Sequence, residues 1–287
     1  MTPTMPNGSS RMPKRQAERP MVPKAEFTSY YGRPVLNPPV WESPDIPGYL
    51  FLGGLAGGSS LLGAGASLTG RGTLAAVAKG GATAAGGLSM AALVHDLGRP
   101  ARFLNMLRVF KVTSLMSVGS WLLAAYVPAT GVAAFSELTG RLRFLGFAAT
   151  VGAAALGPFV ASYTAALISD TAVPSWHDGY PELPFVFTGS AAMAAGGLGL
   201  LGVSVLGDCF RGASVRGASV RGASPGEAAP ARNLAVLGAA MEAVATERMT
   251  RRLGLTAEPF SSGRAGRYVT AGKILAGLGV AGAVASA

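Results

Sequence analysis

Cysteine and histidine are almost absent from this sequence of 287 residues, which contains one cysteine, Cys209, and two histidines, His95 and His177. A single cysteine excludes a disulfide within the chain, and with two histidines it cannot supply the four ligands of an iron–sulfur cluster. Because His177 is predicted to lie in a loop, a bis-histidine haem is not expected either. Any electron transfer through this chain therefore requires a diffusible cofactor or one that a partner carries.

Charged residues are also scarce, at 13% of the sequence, whereas soluble domains contain about a quarter. Hydrophobic residues make up 49%, and there are 41 glycines. The basic residues that give the chain its net charge of +10 lie in short clusters between apolar runs and follow no single periodic face, which argues against nucleic-acid binding. The composition is typical of a protein that crosses a membrane several times.

Seven apolar stretches predict an all-α, polytopic bundle of transmembrane helices. The sixth stretch is short and contains Glu242, and the seventh runs to the last residue. Overlapping G-x-x-x-G pairs between Gly53 and Gly58 predict close helix packing by the first span. The predicted spans are residues 46–68, 73–97, 114–135, 145–168, 183–206, 233–246 and 269–287.

Two polar segments frame this bundle, which is expected to occupy residues 41–287. Residues 1–40 are rich in proline and basic residues and predict a disordered tail. Residues 208–232 contain Arg-Gly-Ala-Ser-Val repeats and predict a flexible, low-complexity loop. The loops on the tail's side of the membrane hold the larger share of arginine and lysine, so this side and the N-terminus are predicted to be cytoplasmic.

Polar residues from several predicted spans converge at the tail's side of the membrane. Asp45 and Tyr49 are one helical turn apart and share a face of the first span. His95 and Asp96 end the second span, and Tyr163 lies toward the same side in the fourth. Such donors beside an apolar groove suit a quinone headgroup, which needs hydrogen bonds and a proton route. The alternatives are a structural hydrogen bond for His95 and a helix-end ion pair between Asp96 and the arginine that follows.

Glu242 leads to a different hypothesis. An acidic residue within an apolar helix is a functional candidate, for proton exchange or for solute coupling. A small-solute or ion transporter that uses Glu242 and Asp96 as coupling groups is therefore the alternative function.

Several motifs together resemble the NrfD/polysulfide reductase membrane-subunit family. They begin at about Tyr30 and lie in the tail, at the starts of the first and third spans, after the second span and within the fourth. They read Tyr-Tyr-Gly-Arg-Pro-Val-Leu-Asn-Pro-Pro-Val-Trp at residues 30–41, Asp-Ile-Pro-Gly-Tyr-Leu-Phe-Leu-Gly-Gly-Leu-Ala-Gly-Gly at 45–58, His-Asp-Leu-Gly-Arg-Pro-Ala-Arg-Phe-Leu-Asn-Met-Leu-Arg-Val-Phe at 95–110, Ser-Val-Gly-Ser-Trp at 117–121 and Tyr-Thr-Ala-Ala-Leu at 163–167. Members of this family usually have eight spans, one more than the seven predicted here.

The resemblance implies a membrane subunit of an oxidoreductase complex in the cell membrane, which exchanges electrons with menaquinone or ubiquinone and is not catalytic alone. It implies a ferredoxin-like iron–sulfur partner and a molybdopterin catalytic subunit. Asp45, Tyr49 and Tyr163 match the positions at which the family binds the quinone headgroup, with Asp and Tyr where some members carry Asn and His. His95 and Asp96 are then expected to exchange protons, and the 99–111 loop to dock the partner.

Overall fold

The computed structural model describes residue 41 and residues 44–209 and 226–285. The predicted tail and residues 210–225 of the predicted low-complexity loop lie outside these ranges. Within them the chain forms helices and no strand, which confirms the all-α prediction. The α-helices are α1 Asp45–Leu68, α2 Gly72–Asp96, α3 Ala101–Met106, α4 Leu115–Thr139, α5 Arg143–Ser169, α6 Pro174–His177, α7 Leu183–Cys209, α8 Ala229–Leu253 and α9 Gly263–Ala285, and a 3-10 helix covers Gly254–Phe260.

Among the described residues, six helices are long and apolar enough to cross a bilayer. They are α1, α2, α4, α5, α7 and α9. Six of the seven predicted spans therefore meet this test, and the chain is a multi-pass membrane protein. The sixth predicted span became α8, which starts at Ala229 and is 25 residues long but is not apolar enough to meet this test.

Helix α8 nevertheless runs along α7, because small residues let the two backbones approach closely. A Cβ atom added at Gly196 would lie 2.5 Å from the Ala231 carbonyl oxygen, and one added at Gly238 would lie 2.6 Å from that of Gly189. The first contact joins Gly196 of α7 to the start of α8, and the second joins Gly189, earlier in α7, to the middle of α8. The two helices are therefore antiparallel over most of their length. All the basic residues of α8 lie toward its two ends.

Helix α1 is the central element and packs against α2, α5 and α7. A Cβ atom at Gly157 of α5 would lie 2.6 Å from the carbonyl oxygen of Gly57, and one at Gly58 would lie 2.6 Å from that of Ala191 in α7. Only glycine permits these crossings, so the glycine run of α1 does pack as tightly as the sequence predicts.

The antiparallel order of the helices gives the bundle two ends. We call the end that holds the start of α1 the first face; it also holds the ends of α2, α5 and α8 and the short helices α3 and α6. We call the other end the second face; it holds the end of α4 and the connections α1–α2 and α4–α5. The candidate site lies toward the first face.

Candidate functional site

Asp45 and His95 form a hydrogen-bonded pair at the first face. Asp45 opens α1 and His95 lies in the last turn of the antiparallel helix α2, so the two meet side by side, with 2.7 Å between Asp45 Oδ2 and His95 Nδ1. Asp45 in the first turn of α1 and His95 in the last turn of α2 also interact favourably with the dipoles of their helices. The Asp45 side chain is 20% exposed and that of His95 80%, so the imidazole connects the buried carboxylate with the aqueous phase.

Tyr49 and Tyr163 lie one turn deeper, and their hydroxyl groups are hydrogen-bonded to each other. Tyr49 is only 1% exposed. Ser89 of α2 donates a hydrogen bond of 3.0 Å to the carbonyl oxygen of Tyr49, which fixes this turn of α1 against α2. The Tyr163 ring lies against Gly119 of α4 so closely that a side chain at this position would overlap it. Four helices therefore position the tyrosine pair.

These contacts bring together four of the predicted site residues, Asp45, Tyr49, His95 and Tyr163, as two bonded pairs on successive turns of α1. Sequence reasoning missed the supporting residues Ser89 and Gly119. Gly119 had a signal, since it lies within the Ser-Val-Gly-Ser-Trp motif at residues 117–121. Ser89 had none beyond its position one and a half turns before His95.

Asp96 is not joined to this cluster. It is half-buried at the end of α2, and its side chain has neither a hydrogen bond nor an ion pair with any residue that the structure describes. The helix-end ion pair with Arg99, considered as an alternative, is therefore not formed. Its position next to His95 still places a second carboxylate at the rim of the site.

Glu242 lies elsewhere, between α7 and α8. Its backbone packs against Gly189, and its carboxyl group is near the Ser190 hydroxyl. The Oε2 atom is buried and has no hydrogen-bond partner in the part of the chain that the structure describes. Glu242 therefore lies on α8 beside α7, whereas Asp96 ends α2.

An aromatic stack lies on the α5–α7 side of the first face. The rings of Trp41 and Trp176 are parallel within 14°, with centroids 5.9 Å apart. Both rings pack against the same buried cluster as Leu50, the residue after Tyr49. This stack ties the segment before α1 to α6. It gives the site an apolar flank.

The chemistry of these groups is donation and acceptance of protons beside an apolar interior. Two phenol hydroxyls and an imidazole can donate hydrogen bonds to carbonyl oxygens, and the Asp45–His95 pair can pass a proton to water. A quinone headgroup fits this donor set. One of the two tyrosine hydroxyls donates to the other, and the hydroxyl that accepts keeps its own hydrogen free to donate.

The fold and this buried polar site define a multi-pass membrane protein with an interior site near one face. A model of the polysulphide reductase NrfD family matches residues 35–206, more than half of the chain. The chain belongs to this family. Comparisons with curated proteins and with solved structures found no match.

Proposed function

We propose that this chain is the quinone-interacting membrane subunit of an oxidoreductase complex, passing electrons between the membrane quinone pool and a partner iron–sulfur subunit. The observation that carries the proposal is the pairing of Tyr49 with Tyr163, one turn below Asp45 and His95. The substrate would be menaquinone or ubiquinone. The membership of the NrfD family supports this function.

Each group of the site has a role in this proposal. Tyr49 and Tyr163 donate hydrogen bonds to the headgroup, while Asp45 holds His95 in place and accepts from its Nδ1–H. His95 exchanges the substrate's proton with water at the first face, and Asp96 at the rim assists. The apolar residues around Tyr49, among them Leu93 and Val160, exclude water from the headgroup.

The partner would dock at the first face, where the connection between α2 and α4 is basic and exposed. Arg99, Arg102, Arg108 and Lys111 are all exposed there. This basic surface suits an acidic iron–sulfur subunit, which would in turn carry electrons to a molybdopterin subunit. By the distribution of positive charge, this face would be the cytoplasmic side of the cell membrane.

Quinone-analogue binding tests the proposed site. The full-length chain in lipid nanodiscs should quench the fluorescence of a hydroxyquinoline N-oxide, and Tyr49→Phe with Tyr163→Phe should weaken binding by roughly tenfold or more, as expected for two lost hydrogen bonds. Asp45→Ala should weaken it further. Tyr268→Phe, at a tyrosine of α9 that is 72% exposed, is the matched control and should leave binding unchanged.

Binding that survives Asp45→Ala, Tyr49→Phe and Tyr163→Phe together would rule out this site. Equal binding in this triple variant and in the Tyr268→Phe control would mean that the analogue binds elsewhere on the chain. Co-purification in mild detergent, followed by mass spectrometry, tests the partner separately. An iron–sulfur subunit that dissociates when Arg99, Arg102 and Arg108 are changed to Gln would support the docking surface.

A further inference from the structure

A second polar cluster lies in the half of the bundle nearer the second face. Lys79, on the second turn of α2, is 8% exposed and is the only charged residue of that helix before its last turn. Its Nζ donates a 2.7 Å hydrogen bond to Glu137 Oε2, two residues before the end of α4. The Glu137 side chain is 23% exposed, against 9% for that of Lys79, so the carboxylate is the member of the pair in contact with the aqueous phase.

Lys79 fits because α1 leaves room for it. A Cβ atom at Gly63 would lie 3.1 Å from Lys79 Cγ, so the aliphatic part of the side chain packs directly on the glycine. The ammonium group then lies among helices that carry hydroxyl groups at the same depth. Ser60 of α1 is hydrogen-bonded to Tyr126 of α4 at 2.6 Å, and both are buried.

A small cavity opens beside this ion pair. Its volume of about 10 Å³ is near the least that holds one water molecule, and four of the seven residues that line it have polar side chains. The hydroxyls of Thr130 and Thr150 donate to carbonyl oxygens of their own helices, so their oxygens can still accept hydrogen bonds. The residues that line it are Ser60, Lys79, Ala82, Thr130, Ala133, Thr150 and Ala153.

An apolar layer separates this cluster from the tyrosine pair. Ala56, Ala85 and Val160 lie between Tyr49 and Tyr126 in one continuous hydrophobic core. The two polar centres therefore share the same four helices but open to opposite faces. A buried lysine in an apolar helix is costly, and an ion pair of this kind is often no more stable than an apolar pair of the same size, so stability alone does not account for it.

We propose that Lys79 and Glu137, with one water molecule held by Ser60, Thr130 and Thr150, form a proton-exchange site that opens to the second face. A proton from the second aqueous phase adds to the Glu137 carboxylate and leaves by the same route. The Lys79 ammonium group keeps its proton throughout and is solvated by the cavity water when Glu137 becomes neutral. The site thus takes up one positive charge within the membrane.

Apart from Tyr126, the ionisable groups near the Lys79–Glu137 pair lie at the second face. Tyr126 of α4 is the one titratable neighbour within the described core, and the described part of α7 from residue 183 to 205 contains no charged residue. Glu227 accepts hydrogen bonds from the Thr73 and Leu74 backbone at the start of α2, about two turns from Lys79. The arginines at this face, among the described residues, are Arg71, Arg141, Arg143 and Arg232.

Charge movement after a pH jump tests the proposal without any partner or quinone. Proteoliposomes of the full-length chain on a solid-supported membrane should give a transient current when the external pH is lowered rapidly, because protons enter part of the membrane field. The double variant Lys79→Met with Glu137→Gln should remove the part of the transient that arises at the second face and leave the part that Asp45 and His95 contribute at the first face. The double variant removes both charges together, so no uncompensated charge remains in the bundle.

The matched control is Glu247→Gln, which breaks an exposed ion pair of the same 2.7 Å length with Arg251 at the first face. It should leave the transient unchanged. Thr150→Val keeps the shape of the side chain and removes one acceptor for the cavity water, so it should reduce the second-face part of the transient severalfold. This variant tests the proposal if the double variant does not fold. A wild-type chain without a transient, or an unchanged transient in Thr150→Val or in a folded double variant, would overturn the proposal.

Discussion

Helices α1 and α9 are both apolar and of nearly equal length, 24 and 23 residues, yet they occupy opposite environments. In α1, 56% of the membrane-spanning stretch is buried inside the protein, and in α9 only 6%. Both are rich in glycine. Composition therefore predicts that each can cross a bilayer, but it does not predict which of them forms the interior.

The glycines of the two helices explain the difference. Those of α1 face the backbones of α5 and α7, as at Gly57 and Gly58, where only a hydrogen atom fits. Those of α9, such as Gly272 and Gly277, have no neighbouring atom within 4 Å of the point at which a Cβ atom would lie. Close packing in α1 holds the helix that carries Asp45 and Tyr49, and this rigidity is what a buried site needs.

The largest effect is expected from Gly57→Ala. Its methyl group would collide with the Gly157 backbone, which cannot move aside as a flexible side chain would, so the variant should lose about 3 kcal/mol of unfolding free energy or fail to fold. Gly277→Ala in α9 is the matched control. It should be neutral or stabilise the protein by up to about 1 kcal/mol, because alanine favours helix and meets no neighbour.

Equilibrium unfolding in mixed detergent micelles, followed by circular dichroism, measures both variants. Equal losses at the two positions would mean that α9 is packed as tightly as α1. The contrast between an inner and an outer helix would then be wrong.

The same contrast shows how far the sequence alone could predict this protein. Length and hydropathy place α1 and α2 within one residue of their observed ends, because a bilayer sets a sharp length requirement. They also place Asp45, Tyr49, His95 and Tyr163 near one face. The bonds within these pairs depend on the rotation of each helix about its axis, which the pattern of apolar residues does not fix when a helix is apolar all round.

The ends of α4 and α8 are predicted less well than those of α1 and α2. The third predicted span ends at residue 135, but α4 continues to Thr139 and brings Glu137 to Lys79. In α8 the charges near its ends shortened the predicted helix to residues 233–246, whereas packing against α7 extends it to 25 residues. In both cases tertiary contacts decided a helix end that local polarity had obscured.

Carbodiimide labelling tests whether Glu242 of α8 is a buried acid in its neutral form. Burial raises the pKa of Glu242, more than the nearby Ser190 hydroxyl lowers it, so the neutral form of this carboxyl group is favoured. The neutral form reacts with dicyclohexylcarbodiimide from the lipid. Glu242 should therefore be modified at neutral pH. Glu247, five residues later on α8, is exposed and paired with Arg251, so it should stay unmodified.

Peptide mass spectrometry after labelling in nanodiscs distinguishes the two residues. Glu242→Gln should abolish the modification of this peptide. Equal labelling of Glu242 and Glu247, or no labelling of either, would show that Glu242 is no more protonated than a surface carboxylate, and it would then lose its place as a candidate for proton exchange.

The smallest expected effect is on the pH dependence of stability. It comes from a charged contact that holds the end of α8 at the first face, whereas glycine contacts hold α1. Arg252 donates to both carboxylate oxygens of Glu182, at 2.9 Å from Nε to Oε1 and 2.7 Å from Nη2 to Oε2, and also to the Asp178 carbonyl oxygen. These hydrogen bonds and the guanidinium charge lower the pKa of Glu182 in the folded protein.

Because the folded-state pKa is lowered, the stabilisation from Glu182 is present above the ordinary carboxyl pKa of about 4.3 and is lost as the pH falls through it toward the folded value. The thermal midpoint of the wild type should therefore fall more steeply on acidification than that of Glu182→Gln, which has no proton to gain. Glu247→Gln should keep the wild-type slope, since exposed ion pairs contribute little. Parallel slopes in wild type and Glu182→Gln would mean that the glycine contacts with α7 hold α8 without the charged contact.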